Sequence, residues 1–189
     1  MKHKNNGLMK SILVLAILLF SFLASSCVPT EKTLISTRET DYISMIRGVR
    51  FAEDYMPQIE ELGEYKQLRV ARYDESALIY YTKNIVLVVE YDQENYQKQQ
   101  DKIEKENVFI SETTIHDVPK SYESDYFAHV NGFYIRVVKD SIVGSAMDHD
   151  YYIGFNDAEQ KVAYIFCRDD ECTRFDVIGD YIQEYCVFP

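Results

Sequence analysis

The residues whose types most directly suggest chemistry are the triplet Asp148-His149-Asp150, in which two carboxylates flank an imidazole. Carboxylate and imidazole groups together can ligate a metal ion or transfer protons. Three consecutive residues of a strand or turn do not all point at one site, however, because successive side chains diverge. The sequence therefore favours a solvated turn between Met147 and Tyr151, and the acid–base pair Asp148 and His149 is the alternative.

Other catalytic signatures are missing from the sequence. Gly144-Ser145 lacks the second glycine of a nucleophile elbow, and there is no phosphate loop, dinucleotide fingerprint or metalloprotease motif. The acidic run Asp169-Asp170-Glu171 does not have the twelve-residue spacing of a calcium loop, so a plain turn is the better interpretation. We predict a non-catalytic protein without a cofactor or metal ion.

Four cysteines occur in the chain, at positions 27, 167, 172 and 186. A turn between Cys167 and Cys172 would place them opposite each other on a hairpin, at a spacing compatible with a disulfide. The competing pair is Cys172–Cys186, which would fasten the C-terminal segment, and the third possibility is no bridge. No histidine lies near these cysteines in a zinc-finger spacing, so a zinc site is not predicted.

Tyrosine is abundant, with 16 residues, whereas tryptophan is absent. The pairs Tyr80-Tyr81 and Tyr151-Tyr152 would place one ring on each face of a strand. Exposed tyrosines stack on sugars or anchor protein interfaces. We predict a binding face formed by Tyr80, Tyr81, Tyr151 and Tyr152, and core packing is the alternative.

The first 26 residues have the organisation of an export signal. A head carrying Lys2, Lys4 and Lys10 precedes an apolar run that starts at Ile12. About 13 apolar residues span roughly 20 Å as a helix, which is short for the ~30 Å hydrocarbon core of a bilayer. A positive head, a short apolar run and the small residues at 24–26 are typical of a cleaved signal peptide rather than a transmembrane helix.

The end of this segment, Leu23-Ala24-Ser25-Ser26-Cys27, resembles the lipobox of bacterial lipoproteins. Ala24 departs from that pattern, because leucine is more usual three residues before the cysteine. The resemblance implies that the signal is cut before Cys27, that the Cys27 thiol receives a diacylglycerol, and that fatty acids such as palmitate hold the protein on the extracytoplasmic side of a membrane. The alternative is an ordinary signal peptide in which Cys27 is a plain thiol.

These features predict three segments: a lipoprotein signal peptide over 1–26, a lipidated N-terminus and flexible tether over 27–40, and a single globular domain over 41–189. Without the signal, 17 basic residues face 31 acidic ones, which gives a net charge of −14. Such an acidic chain is a poor nucleic-acid partner and is not expected to adhere to anionic lipid by charge.

Two helices are predicted within this domain. The first has an apolar stripe with steps of three and four residues between Tyr42 and Met56, and Pro57 should end it. The second covers 92–107, with Asp92 as its N-cap and Tyr96 and Ile103 as its buried edge. Its many charges indicate a solvated face.

The rest of the chain is predicted to be mostly strands. The run 85–91 is apolar on both faces, which predicts a central strand. Asp74-Glu75-Ser76 and Lys83-Asn84 are predicted turns, and Asn131-Gly132 is the strongest hairpin signal. Further strands are expected at 142–147, 151–155 and 161–167, and the segment 173–188 is either a strand or a short helix.

Together these patterns predict an α+β fold with two main helices and a largely antiparallel, meander-like sheet. The stretch from Gly154 to Ile165 is similar to uncharacterised surface lipoproteins, a likeness that implies no activity. The predicted function is that of an accessory binding module, anchored in the membrane by its lipid, for a protein or a glycan of the cell envelope. The alternative is an envelope-polymer hydrolase that uses Asp148 and His149.

Overall fold

The computed structural model describes residues 30–76, 81–109, 127–138, 149–169 and 188. Within these residues seven strands form one sheet, in the order β1-β2-β3-β7-β6-β5-β4, and every pairing is antiparallel. The strands are β1 (Thr30–Ser36), β2 (Gln67–Ser76), β3 (Tyr81–Glu90), β4 (Phe127–Val130), β5 (Phe133–Val137), β6 (His149–Asn156) and β7 (Lys161–Asp169). Two meanders, β1–β3 and β4–β7, therefore join along the β3–β7 pairing.

Three α-helices are described: α1 (Glu39–Arg47), α2 (Ala52–Tyr55) and α3 (Gln93–Glu106), with a short 3-10 helix at Ile59–Glu61. The predicted first helix is thus two helices. It breaks because Phe51 takes a left-handed conformation with φ of 70°, which a continuous α-helix does not allow. The prediction of two main helices is therefore not confirmed, whereas the largely antiparallel sheet is.

The helices cover one face of the sheet, which we call the helix side. Alternate residues of β3, such as Ile85 and Leu87, point to the helix side and pack with Tyr42 and Ile46 of α1 in the larger apolar cluster. The intervening residues, such as Val86, point to the opposite face and form a second cluster. A strand that is apolar on both faces therefore lies where the sequence predicts it, between β2 and β7 in the sheet interior.

Several local predictions are confirmed. Asp92 caps α3, since its Oδ1 accepts a hydrogen bond of 2.8 Å from the backbone N–H of Asn95. Asn131 and Gly132 form the β4–β5 turn with φ of 51° and 82°, the left-handed values that this hairpin type requires. The predicted strands 151–155 and 161–167 lie within β6 and β7. Residues 142–147 lie outside the described part of the chain, and so does 173–188 apart from Phe188.

The first meander differs from its prediction. Lys83 and Asn84 do not form a turn but continue β3, and Asp74 to Ser76 continue β2, because Lys83 pairs in register with Asp74. The flexible tether predicted over 27–40 is also wrong from residue 30 onward. Residues 30–36 form the edge strand β1, which pairs with β2 over its whole length, and α1 begins at Glu39.

Candidate functional site

The triplet Asp148-His149-Asp150 is only partly within the described residues, since Asp148 lies outside them. The predicted turn is wrong for the other two, because the backbones of His149 and Asp150 begin strand β6 and pair with β7. The half-buried carboxylate of Asp150 accepts a hydrogen bond of 3.1 Å from the Tyr152 hydroxyl. The acid–base role of Asp148 and His149 stays a prediction.

Cys167 is the only predicted disulfide residue in the described part of the chain, and its side chain is buried in β7. Cys172 and Cys186 lie outside the described residues, so both pairings stay predictions. Cys27 also lies outside the described residues, so its lipidation stays a prediction.

The predicted tyrosine face does not form as an exposed surface. Tyr151 and Tyr152 do lie on opposite faces of β6, but they are only 5% and 3% exposed, because both faces of the sheet are packed here. Tyr81 is half-buried, and Tyr80 lies outside the described residues. For Tyr151 and Tyr152, the side chains therefore follow the alternative interpretation, which was core packing.

A different site is present on the helix side, where a cleft of about 170 Å³ opens between α3, the 3-10 helix and strands β6 and β7. We call it the tyrosine cleft. Aromatic rings, two carboxylates, an amide and an ammonium group belong to its lining: Tyr55, Tyr151, Tyr164, Glu61, Glu106, Gln99 and Lys102.

Hydrogen bonds from α3 fix the inner end of this cleft. The Gln99 amide, 7% exposed, donates to the Tyr164 hydroxyl at 2.9 Å and to the Glu61 carbonyl oxygen at 3.4 Å. Lys102 Nζ donates to the same carbonyl at 2.9 Å. The Glu61 carboxylate accepts from the backbone N–H of Gln58 at 2.8 Å, which leaves one of its two oxygens for another donor. The polar groups are thus held in place by the fold.

The hydroxyls of Tyr151 and Tyr164 have raised pKa values and are neutral at neutral pH. The pKa of Tyr164 is raised to about 12, mainly by burial. Contacts with the Gln99 amide and the Tyr91 hydroxyl lower this pKa, whereas the carboxylates of Glu61 and Glu106 raise it. Burial also raises the pKa of Tyr151, with smaller contributions from the Tyr164 hydroxyl and from Glu61. The Glu61 carboxylate therefore acts electrostatically on two rings of the cleft.

One further buried hydroxyl lies behind the cleft. Tyr91 is fully buried, and burial followed by the neighbouring Tyr164 hydroxyl raises its pKa. Although the two hydroxyls are close enough to influence each other, that of Tyr91 has no partner of normal hydrogen-bond geometry among the described residues.

The sequence did contain one signal of this site. Gln99 lies between Tyr96 and Ile103 on the buried edge of α3, because residues three and four apart share a helix face. A polar residue on an apolar stripe needs a buried partner, and here that partner is Tyr164. Lys102 and Glu106 follow Gln99 at helical spacing on the same helix, but the cleft residues outside α3 come from separate elements, so no local pattern connects those to it.

The chemistry available in the cleft is recognition by charge and hydrogen bonding. Two carboxylates, from Glu61 and Glu106, face one ammonium group, from Lys102, which leaves a surplus negative charge. Glu106 has no ion pair with a described residue. Carboxylates beside aromatic rings favour a cation that donates hydrogen bonds, such as a guanidinium or ammonium group.

Two features are absent from the described part of the chain. No group of three or more histidine, cysteine, aspartate or glutamate side chains there is arranged to hold a metal ion. None of the helices described is both long enough and apolar enough to span a bilayer. In comparisons with known proteins, no family model, curated protein or solved structure matches the chain.

Proposed function

We propose that this chain is a lipid-anchored binding protein of the cell envelope, non-catalytic and facing the extracytoplasmic side, whose tyrosine cleft takes a basic side chain of a partner protein. The anchor rests on the likeness of residues 23–27 to a lipobox. The binding role rests on the cleft. Its surplus carboxylate charge beside Tyr55 and Tyr151 is the observation that carries this proposal.

The size and polarity of the cleft favour a side chain over an extended glycan. A volume of about 170 Å³ is smaller than the roughly 300–1,000 Å³ of a typical small-molecule pocket, and it suits a group of a few heavy atoms. Neutral sugars would use the tyrosine rings but not the surplus negative charge. A basic side chain would use both, so a protein partner is preferred to a glycan.

The binding test compares blocked peptides that differ in one residue, arginine or its neutral isostere citrulline, added to the full chain in detergent. We expect the arginine peptide to bind about fivefold or more tightly, since an additional partly exposed ion pair contributes about 1 kcal/mol. Glu61→Gln and Glu106→Gln should each remove most of this preference. Glu94→Gln is the matched control, because Glu94 lies on the exposed face of α3 and its ion pair among the described residues is with Lys98.

Two results would count against the binding role. Equal affinity for arginine and citrulline would show that the carboxylates do not contribute. Tighter binding of neutral oligosaccharides than of either peptide would favour the glycan. The anchor is tested separately by labelling cells with an alkyne fatty acid, and equal labelling of the wild type and of Cys27→Ala would contradict it.

A further inference from the structure

Strand β1 is one edge of the sheet, and among the described residues no strand pairs with its outer side. It pairs with β2 on its inner side over all seven of its residues, in one continuous register without a bulge. A straight edge of this length presents outward-pointing N–H and C=O groups to which another strand can add. The edge is independent of the lipid anchor and of the tyrosine cleft.

Two large apolar side chains of β1 are exposed. Leu34 is 36% exposed and Ile35 is 54% exposed. They lie on opposite faces of the sheet, because successive residues of a strand alternate. Val108 is the other large apolar residue with comparable exposure in the described part of the chain. Exposed apolar surface is therefore concentrated on both faces of this edge, as is expected for a strand that a further strand extends.

The usual protection of an edge strand covers only the first half of β1. Unpaired edges are commonly blocked by charged residues, by proline or by a bulge. Glu31 and Lys32 provide charges near the start of β1, whereas 33–36 contains neither a charged residue nor a proline. The second half of β1 is therefore suited to strand pairing, and the charges of the first half restrict the register.

A second copy of β1 complements this half when the two strands run antiparallel with Leu34 on the two-fold axis. Leu34 then lies opposite Leu34 of the second copy, and Ile35 lies opposite Thr33. Lys32 lies opposite the uncharged Ser36. An axis perpendicular to the sheet also keeps the helix side of both copies on one face, so that the two seven-stranded sheets continue into each other.

The neighbouring symmetric registers are less favourable. An axis at Lys32 places two ammonium groups directly opposite each other, which is destabilising. An axis at Thr33 places Lys32 opposite Leu34. The same axis places Glu31 opposite Ile35, so each charged group meets an apolar side chain. An axis at Ile35 pairs only residues 34–36 of β1, whereas an axis at Leu34 pairs residues 32–36.

The elements at this edge are electrically neutral, although the net charge of the chain is −11. Strand β1 has one basic and one acidic residue, and β2 has two of each. Arg38 and Arg47 balance Glu39 and Asp41 at α1. Repulsion between two copies therefore comes from more distant acids, whose effect in water decays over about 8–10 Å at physiological salt.

We propose that two copies of this chain form a symmetric dimer by antiparallel pairing of their β1 strands, with Leu34 on the two-fold axis. A second copy is favoured over a different protein because this one strand supplies both members of each complementary pair. Since the pairing uses the β1 edge of both copies, association through β1 ends at the dimer.

The test measures dimerisation of the full chain in detergent by analytical ultracentrifugation over a range of protein concentrations. We expect a monomer–dimer equilibrium that added salt strengthens. Ile35→Lys should weaken the dimer about tenfold or more, because the symmetry brings the new charge into the interface twice. Val108→Lys is the matched control, since Val108 is 57% exposed and precedes Phe109, which pairs with Val138 beyond β5. Circular dichroism shows whether each variant is folded.

A crosslinking experiment tests the register. Oxidation of Leu34→Cys should give a disulfide-linked dimer, because the two substituted positions lie opposite each other. Oxidation of Lys32→Cys should not, because these positions would be about 13 Å apart along the strands. The unsubstituted chain, treated in the same way, gives the background from its own four cysteines.

Four results would overturn the proposal. A monomer at every concentration shows that the copies do not pair. A dimer that Ile35→Lys leaves unchanged, or that Val108→Lys weakens equally, uses another surface. Crosslinking of Lys32→Cys in place of Leu34→Cys shows that the register is wrong. Crosslinking of Leu34→Cys to a different chain in intact cells assigns the edge to another protein.

Discussion

Alkaline pH should unfold this protein cooperatively, because its core contains tyrosines that must stay neutral in the folded state. Six described tyrosines are at most 5% exposed, and five of these have a raised pKa: Tyr42, Tyr91, Tyr96, Tyr151 and Tyr164. Burial is the main reason that each has a raised pKa, which for Tyr164 is about 12. An unfolded tyrosine has a pKa of about 10, so the unfolded chain releases these protons first.

The size of the effect follows from proton linkage. Between about pH 10 and pH 12 the folded state binds more protons than the unfolded state, so the free energy of unfolding falls as the pH rises. At about pH 11 each tyrosine that is ionised only in the unfolded state removes about 1.4 kcal/mol. Five such residues remove about 7 kcal/mol, which is comparable with the total stability of a typical domain. We expect the stabilisation to be complete below about pH 9 and the unfolding midpoint to lie near pH 11.

The assay follows tyrosinate absorbance and far-ultraviolet circular dichroism in one pH titration. The exposed tyrosines should ionise first, and the buried ones should then ionise in a steep step that coincides with the loss of the circular dichroism signal. The chain unfolded in urea is the control and should titrate smoothly around pH 10. Smooth ionisation of all tyrosines around pH 10 with intact secondary structure would refute the reasoning.

Three substitutions test other parts of the packing by chemical denaturation. Tyr91→Phe should raise the free energy of unfolding by about 1 kcal/mol, because it removes a buried hydroxyl without a normal hydrogen bond. A decrease in the free energy of unfolding of similar size would contradict this. Arg136→Ala should lower the free energy of unfolding by about 2–3 kcal/mol, since the guanidinium pairs with Glu104 of α3 and lies 4.0 Å from the centre of the Phe109 ring. If the decrease is no larger than that caused by Glu104→Gln, the stacking on Phe109 contributes nothing. Gly48→Ala should lower the free energy of unfolding by about 1 kcal/mol, because the new Cβ would lie 2.1 Å from Arg72 Nη1 and displace the guanidinium. An increase in the free energy of unfolding would mean that Arg72 moves away at no cost.

Local chemistry explains the parts of the fold that the sequence predicted. Asn131-Gly132 tolerates the left-handed conformation of its turn whatever surrounds it, and Asp92 caps α3 through a neighbour three residues away. The uninterrupted apolar run of β3, 85–89, is favourable only inside a sheet that is covered on both faces.

The missed elements depend on distant partners instead. Strand β1 is polar and almost entirely exposed, so only its pairing with β2, about forty residues later, makes it a strand. Polar edge strands of this kind also avoid aggregation, which explains their weak pattern. Lys83 and Asn84 look like a turn locally, but the register with Asp74 keeps them extended.

The tyrosine cleft could not be predicted for the same reason. Its residues lie on α2, the 3-10 helix, α3, β6 and β7, and only the packing of α3 over the sheet brings them together. Of the tyrosines that the sequence singled out for binding, Tyr151 and Tyr152 are buried, and Tyr151 also lines the cleft. The local signal of the site is confined to α3, where Gln99 lies between two buried residues and Lys102 and Glu106 follow it at helical spacing.

The central claim is that the tyrosine cleft binds a basic side chain, and nuclear magnetic resonance of ring-labelled tyrosines tests it most directly. On titration with the blocked arginine peptide, the Tyr151 and Tyr164 resonances should shift in a saturable manner, and Glu61→Gln should weaken that response while Glu94→Gln leaves it intact. Saturable shifts confined to tyrosines outside the cleft, or shifts at Tyr151 and Tyr164 that Glu61→Gln does not change, would contradict the account.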